Sequence, residues 1–260
     1  VCRHLAYVGP PVTLASLVLE PSHGLLRQSY APADMRGGGT VNADGFGAGW
    51  YPAEEFGAAK QPAARYRSPS PIWSDASFAD LAAATRSTGV LAAVRSATVG
   101  MPVTAAAAAP FAEDRWLFSH NGVVRGWPGS MAELAAGLPV TDLLTLDAPT
   151  DAALLWALVR DRLRRGADPA DALAGVVREV AAAAPASRLN LLLTDGTAIW
   201  ATAWDHALSV RTGDDFALVS SEALDEAENW TAVPDRHLVV AHPGHHGTSP
   251  LTTAPKTGDP

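Results

Sequence analysis

Apolar and polar residues alternate loosely over residues 2–8, and Gly9-Pro10-Pro11 closes the run, so the pattern predicts a short first strand. Residues 21–44, rich in Gly, Pro and polar side chains and ending near Gly37-Gly38-Gly39, read as a long loop over a site. A Gly-aromatic strand is expected over 45–51, followed by a helix capped by Ser74 or Asp75. Residues 90–94 and 116–119 read as core strands. Between them, 101–110 is Ala-rich but bounded by prolines, which favours a loop over a helix.

Further on, Thr150-Asp151 opens a helix to about Arg165, apolar at Leu154, Leu155, Leu158 and Leu163. A second helix is expected from Asp168-Pro169 to the alanines before Pro185. Residues 188–194 and 197–204, separated by Asp195-Gly196, form the clearest hairpin, and 207–210 and 216–220 are expected to continue that sheet. Helices grouped mid-chain with antiparallel strands around them predict an α+β fold, helices packed on sheets. No composition break marks a second domain. The expectation is one domain over 1–246 and a C-terminal tail over 247–260.

Composition narrows the partners. The chain has 260 residues, 48% hydrophobic and 18% charged, which is globular and large enough for a substantial core. A net charge of -8 without a basic stripe disfavours a nucleic-acid surface. The apolar stretch 138–159 is broken by Asp142, Asp147 and Asp151, no run is long enough to span a membrane, and the opening residues lack the basic-apolar-small pattern of a signal peptide, so none is expected. One cysteine excludes an internal disulfide and a cysteine-based zinc site. A cytoplasmic protein acting on a small molecule, without cofactor, metal, nucleic acid or membrane partner, is expected. The oligomeric state is not readable.

That cysteine is Cys2. Val1 is read as a translated GUG start whose removal leaves Cys2 first, so that its α-amine, titrating at about 7.7–8.0, can take the thiol's proton. The alternative is a buried cysteine acting as a small hydrophobe. Asn121-Gly122, after the run Trp116-Leu117-Phe118, offers an amide side chain and an approachable backbone N–H as oxyanion donors; a type I′ turn is the competing reading. Arg95, at a strand end in Arg95-Ser96-Ala97-Thr98, can grip a carboxylate through paired hydrogen bonds, or be a surface arginine. Asp151 is either a helix cap or first-turn acid, or a counter-charge for an ammonium.

An N-terminal Cys, then R-x-x-T, N-G and a helix-opening T-D, in this order, resembles the class II glutamine amidotransferases, which are N-terminal-nucleophile hydrolases. Asn42-Ala43-Asp44-Gly45-Phe46-Gly47 is similar to a loop of that family. The resemblance implies a four-layer αββα sandwich, Cys2 as nucleophile with its own amine as base, and Asn121 and Gly122 as oxyanion hole. It also implies Arg95 and Asp151, with Thr98 assisting, on the glutamyl α-carboxylate and α-ammonium. Val99 stands where the family often has histidine, so that contact is absent. Residues 2–7, 95–103 and Ser221-Glu222-Ala223-Leu224-Asp225 followed by Val233-Pro234-Asp235 are similar to one branch, the γ-glutamyl hydrolases of ergothioneine biosynthesis. That branch implies cleavage of a γ-glutamyl amide of a hercynylcysteine sulfoxide to glutamate and the free amine. After the sandwich is assigned no residues remain for an ammonia-using domain, so transfer to water is expected. The alternatives are a glutaminase subunit feeding a separate synthase, or an inactive binding module.

Other features read as structural. His242, His245 and His246 lack metal spacing and are expected in an exposed C-terminal loop. Ser220-Ser221-Glu222 lacks a nucleophile elbow and is expected as a structural or site-lining turn. His4 shares the face of Cys2 on a strand and is expected to pack. Trp50, Tyr51, Trp73 and Trp230 are candidates for holding the trimethylammonium of such a leaving group by cation–π attraction, with core packing the competing role.

Overall fold

The computed structural model describes residues 2–35, 41–52 and 62–251. Val1, Gly37-Gly38-Gly39 and the expected tail from residue 252 onward lie outside the described residues. The chain begins with β1 (Arg3–Thr13), α1 (Leu14–Val18) and α2 (Leu25–Gln28). Then come β2 (Phe46–Trp50), β3 (Ala64–Ser68), α3 (Ala76–Ala84), β4 (Arg86–Val94), β5 (Phe111–Glu113) and β6 (Trp116–Val123). Four helices follow: α4 (Ala132–Ala136), α5 (Val140–Leu144), α6 (Asp151–Arg164) and α7 (Pro169–Ala183). The chain closes with β7 (Arg188–Thr194), β8 (Ile199–Ala203), β9 (Ser209–Gly213), β10 (Phe216–Ser220), β11 (Thr231–Ala232), β12 (His237–His242) and β13 (His245–Pro250).

Two antiparallel sheets result, ordered β11-β9-β10-β1-β4-β2-β3 and β13-β12-β8-β7-β6-β5. Side-chain alternation shows how they stack, because successive residues of a strand face opposite ways. On β1, Leu5 and Tyr7 join α1 and α3 in one core, whereas Ala6 and Val8 face a second core shared with the other sheet. On β7, Leu189, Leu191 and Leu193 pack against α6 and α7, whereas Leu192 faces the inter-sheet core. Helix, sheet, sheet, helix: the four-layer αββα sandwich follows from this parity. Asp75 caps α3 by accepting from the Phe78 N–H, and Thr150 caps α6 through the Ala153 N–H.

Three expectations are corrected. First, β1 runs through Gly9-Pro10-Pro11 to Thr13, with a register shift between Val8 and Val12. The prolines are tolerated because pairing with β10 ends at Val8, so their missing N–H groups cost no bond on that side. Second, β9 and β10 belong to the sheet of β1, not that of the β7–β8 hairpin. The chain crosses between sheets after Trp204, where the Asn190 amide accepts from the Trp204 N–H (2.8 Å) and donates to the carbonyls of His206 (3.3 Å) and Ala207 (2.8 Å). Third, His242 and His245 pair across the β12–β13 hairpin, and residues 247–250 continue that edge strand where a loop and tail were expected.

The start of β1 is held by a buried ion pair. Arg3 Nε donates to Glu222 at 3.0 Å, with both side chains almost fully buried. The same carboxylate accepts from His23 Nε2 and from the backbone N–H groups of Ala33 (2.8 Å) and Asp34 (3.1 Å). Burial alone would raise the Glu222 carboxyl. The His23 bond, the two amides and the Arg3 charge outweigh it, so the group sits below the ordinary glutamate range. Arg3 also donates to the carbonyls of Cys2 and Asp34.

Glu222→Gln leaves the Arg3 guanidinium buried and uncompensated, and is expected to cost about 3–5 kcal/mol in urea unfolding at neutral pH. A carboxyl depressed in the folded state contributes stability above its unfolded value of about 4.3. The gap between wild type and variant should therefore narrow as pH falls below that value and through the folded-state titration.

Candidate active site

Alternation along β1 puts Cys2 on the inter-sheet face with His4, Ala6 and Val8, at the open end of that layer. Its side chain is partly buried, and the thiol donates to the Ser96 carbonyl at 3.8 Å. Around it a pocket is lined by Cys2, Arg95, Thr98, Gly122 and Asp151 together with His120 and a set of small and apolar residues. Five of the six residues singled out from the sequence thus meet in one cavity, from four separated segments. The sixth, Asn121, lies fully buried behind it.

Each is held by local bonds. Arg95 follows β4 and is 9% exposed; its Nη1 donates to the Pro102 carbonyl at 2.8 Å, which closes the 95–102 loop on itself. Asp44, in the Asn42–Gly47 segment, accepts from the Ala97 N–H at 2.8 Å, and its own N–H donates to the Arg95 carbonyl. That motif braces the Arg95 loop. Asp151 is the first-turn acid of α6, with Thr150 as the cap, so its structural reading holds. Its Oδ2 also accepts from the Val124 N–H at 3.0 Å, tying the helix start to the chain just beyond Gly122.

Asn121 and Gly122 lie within β6, paired with Asn190 and Leu189 of β7. The turn reading is excluded, and the strand extends past the expected end at residue 119. A Cβ on Gly122 would stand 1.9 Å from the Arg188 carbonyl oxygen, so only glycine admits this register. Asn121 Nδ2 donates to Ser221 Oγ at 3.0 Å, which leaves its second hydrogen free to serve another acceptor; Oδ1 has no partner among the described residues. Ser221 in turn accepts from the His4 N–H (3.0 Å), and its own N–H donates to the His4 carbonyl (2.9 Å). The Ser221 turn therefore links Asn121 to the strand that carries Cys2. Its positioning of Asn121 was not legible in the sequence, although Ser221-Glu222 stood out as a motif.

Two histidines lie near the site, His4 enclosed behind it and His120 on the pocket wall. His4 is wholly enclosed, with Nδ1 at 2.6 Å from Ser119 Oγ; burial first, then the charges of His120, His206 and Arg3, hold it well below the usual histidine range. It packs as a neutral ring, as expected. His120 Nε2 donates to the Arg188 carbonyl at 3.0 Å. None of Trp50, Tyr51, Trp73 and Trp230 lines the pocket. Trp50 packs on the helix-side core of the first sheet, and Tyr51 reaches the carbonyls of Arg115 and Thr194. Trp73 meets Tyr30 edge-on, and Trp230 Nε1 donates to Asp225. No group of three metal-ligating side chains converges among the described residues, and no described helix is long and apolar enough to cross a membrane.

The tight β6–β7 approach yields a stability prediction. Gly122→Ala drives a methyl group into a backbone carbonyl, and should cost about 3 kcal/mol or more, read as a shift in the denaturant midpoint.

Comparison with known proteins identifies the family. The glutamine amidotransferase class-II family matches residues 26–213. The chain is 43% identical over 251 residues to the gamma-glutamyl-hercynylcysteine sulfoxide hydrolase of Mycolicibacterium smegmatis, covering 96% of this chain and all of that protein. It is 42% identical over 238 residues to the protein of the same name from Mycobacterium tuberculosis, covering 92% and 91% of the two chains. Among solved structures, a glutamine aminotransferase class-II domain protein from Silicibacter pomeroyi superposes with a TM-score of 0.67 at 21% identity, over 96% of this chain and all of that one, a likeness of fold. On sequence and fold, this chain belongs to the class II glutamine amidotransferases.

Proposed function

We propose that this protein is a γ-glutamyl amide hydrolase that cleaves γ-glutamyl-hercynylcysteine sulfoxide to glutamate and hercynylcysteine sulfoxide. The observation that carries the reaction is the single pocket holding the Cys2 thiol, the Arg95 guanidinium and the Asp151 carboxylate. A cation and an anion flanking a nucleophile match the zwitterionic end of a γ-glutamyl group. The leaving group is supported by the 43% identity to the Mycolicibacterium smegmatis hydrolase along nearly the whole chain.

Arg95 takes the α-carboxylate and Asp151 the α-ammonium, with Thr98 at the rim, and this fixes the γ-carbonyl against Cys2. The α-amine of Cys2, once Val1 is removed, accepts the thiol proton. Sulfur then adds to the carbonyl carbon, and the resulting oxyanion is met by the Gly122 N–H and the free Nδ2 hydrogen of Asn121. Collapse breaks the C–N bond, and the amine leaves with the proton that the α-amine returns. Water, deprotonated by the same α-amine, cleaves the thioester to glutamate and restores the thiol. The buried neutral His4 takes no part in proton transfer.

Asn121→Ala is expected to lower kcat about 10²–10³-fold in steady-state hydrolysis while the protein stays folded. Ser221→Ala should lower kcat by less, and the loss in the double variant should fall short of the product of the two single losses, because Ser221 acts in part through Asn121. Additive losses would remove Ser221 from that role. Intact-mass analysis should show a mature chain beginning at Cys2, with hydrolysis of γ-glutamyl substrates that Cys2→Ala abolishes. An active protein that retains Val1 would overturn the amine-assisted mechanism.

A further inference from the structure

Arg188 opens β7 opposite Val123, two residues beyond Asn121 on the paired strand. Leu189, Leu191 and Leu193 face the helices while Leu192 faces the other sheet, so the Arg188 side chain leaves β7 on the inter-sheet face. That is the face of Cys2, and β1 packs across β6 and β7. The guanidinium is half-buried, and its Nε is enclosed with no acceptor. Among the described residues it has no ion pair, whereas Arg160 and Arg164 share Glu113 and Asp142.

Its electrostatic surroundings favour an anion. Burial lowers the proton affinity of Arg188, and the Arg125 charge lowers it further; the charges of Cys2 and Asp205 oppose this. Arg125 is fixed nearby through its N–H to Ser187 Oγ at 2.9 Å. Arg188 therefore lies within reach of the Cys2 charge, with a second cation, Arg125, beside it and no carboxylate bonded to it. A half-buried guanidinium lacking a partner is costly, and a planar carboxylate is the group its paired donors fit best. The glutamyl end already has Arg95 inside the pocket, and Arg188 is not among the residues lining it. When the leaving amine is that of an α-amino acid, a second carboxylate lies only a few bonds from the scissile carbonyl.

We propose that Arg188, reinforced by Arg125, binds the α-carboxylate of the leaving amino acid, and so selects γ-glutamyl amides of α-amino acids over glutamine, which releases only ammonia. This rests on the reading of Cys2 as the nucleophile. It makes Arg188 a specificity-determining residue, outside the proton-transfer chemistry.

The test compares kcat/KM for γ-glutamylcysteine and for γ-glutamylcysteamine, its analogue without the carboxylate, in wild type, Arg188→Met and Arg188→Lys. Wild type should prefer the carboxylate-bearing substrate about 10–100-fold, the worth of a charged hydrogen-bonded pair. In Arg188→Met the ratio should fall towards one, and Arg188→Lys should recover part of it. A wild-type ratio near one overturns the proposal without any variant, while hydrolysis itself keeps the reading of the site intact. Equal losses on both substrates in Arg188→Met, with the ratio preserved, also overturn it and make Arg188 a stabiliser of the Cys2 thiolate. Absence of hydrolysis of both substrates and of glutamine by a wild-type chain beginning at Cys2 would remove the reading of the site and this proposal together.

Discussion

The Arg3–Glu222 ion pair is the constraint on which the site depends. A nucleophile near a chain terminus sits where polypeptides ordinarily fray, because terminal residues have neighbours on one side only. Here the residue next to Cys2 is clamped. Glu222 gathers Arg3, His23 and two backbone amides of residues 33 and 34, and Arg3 returns a bond to the Cys2 carbonyl. Such a pair adds little net stability over an apolar replacement, since desolvation offsets most of the attraction. What it supplies is position: β1 cannot slip or peel at its first residue without leaving a charge buried and unpaired.

The other parts of the site are fixed by backbone contacts of equal economy. Gly122 lets β6 and β7 approach until a carbonyl fills the space of a side chain, and Ser221 joins Asn121 to the strand that bears Cys2. Asp44 braces the Arg95 loop, and Asp151 ties α6 to the residues after Gly122. The pocket is therefore assembled from strand ends and loops that are individually tethered, and little side-chain freedom remains to be lost when a substrate is gripped.

Much of this was legible along the chain where elements are long and strongly patterned. The helices α6 and α7, the β7–β8 hairpin and the Asp75-capped α3 follow from spacing and caps alone. The short α1 and α2 did not, because five and four residues are too few to display a helical period. The assignment of β9 and β10 to the first sheet was hidden too: it turns on the Asn190 amide satisfying the crossing backbone, a contact that no local pattern announces. Asn121-Gly122 has the same composition in a turn as in a strand, and pairing with Asn190 and Leu189 decides between them.

By itself the sequence determined the residue types the chemistry requires: one thiol at Cys2, a cation at Arg95, an anion at Asp151 and an amide next to glycine at 121–122. It also determined, through alternation, that Cys2 and His4 share a face. Only the tertiary structure decided that Cys2, Arg95, Gly122 and Asp151 meet in one pocket with Asn121 buried next to Gly122, that His4 is buried neutral, that Glu222 holds the start of β1, and that Arg188 stands near Cys2 without a carboxylate partner among the described residues. The physical reason is range. Periodicity and capping are local and can be read from neighbours, whereas the partner of a buried charge is set by which distant strands the sheets bring side by side.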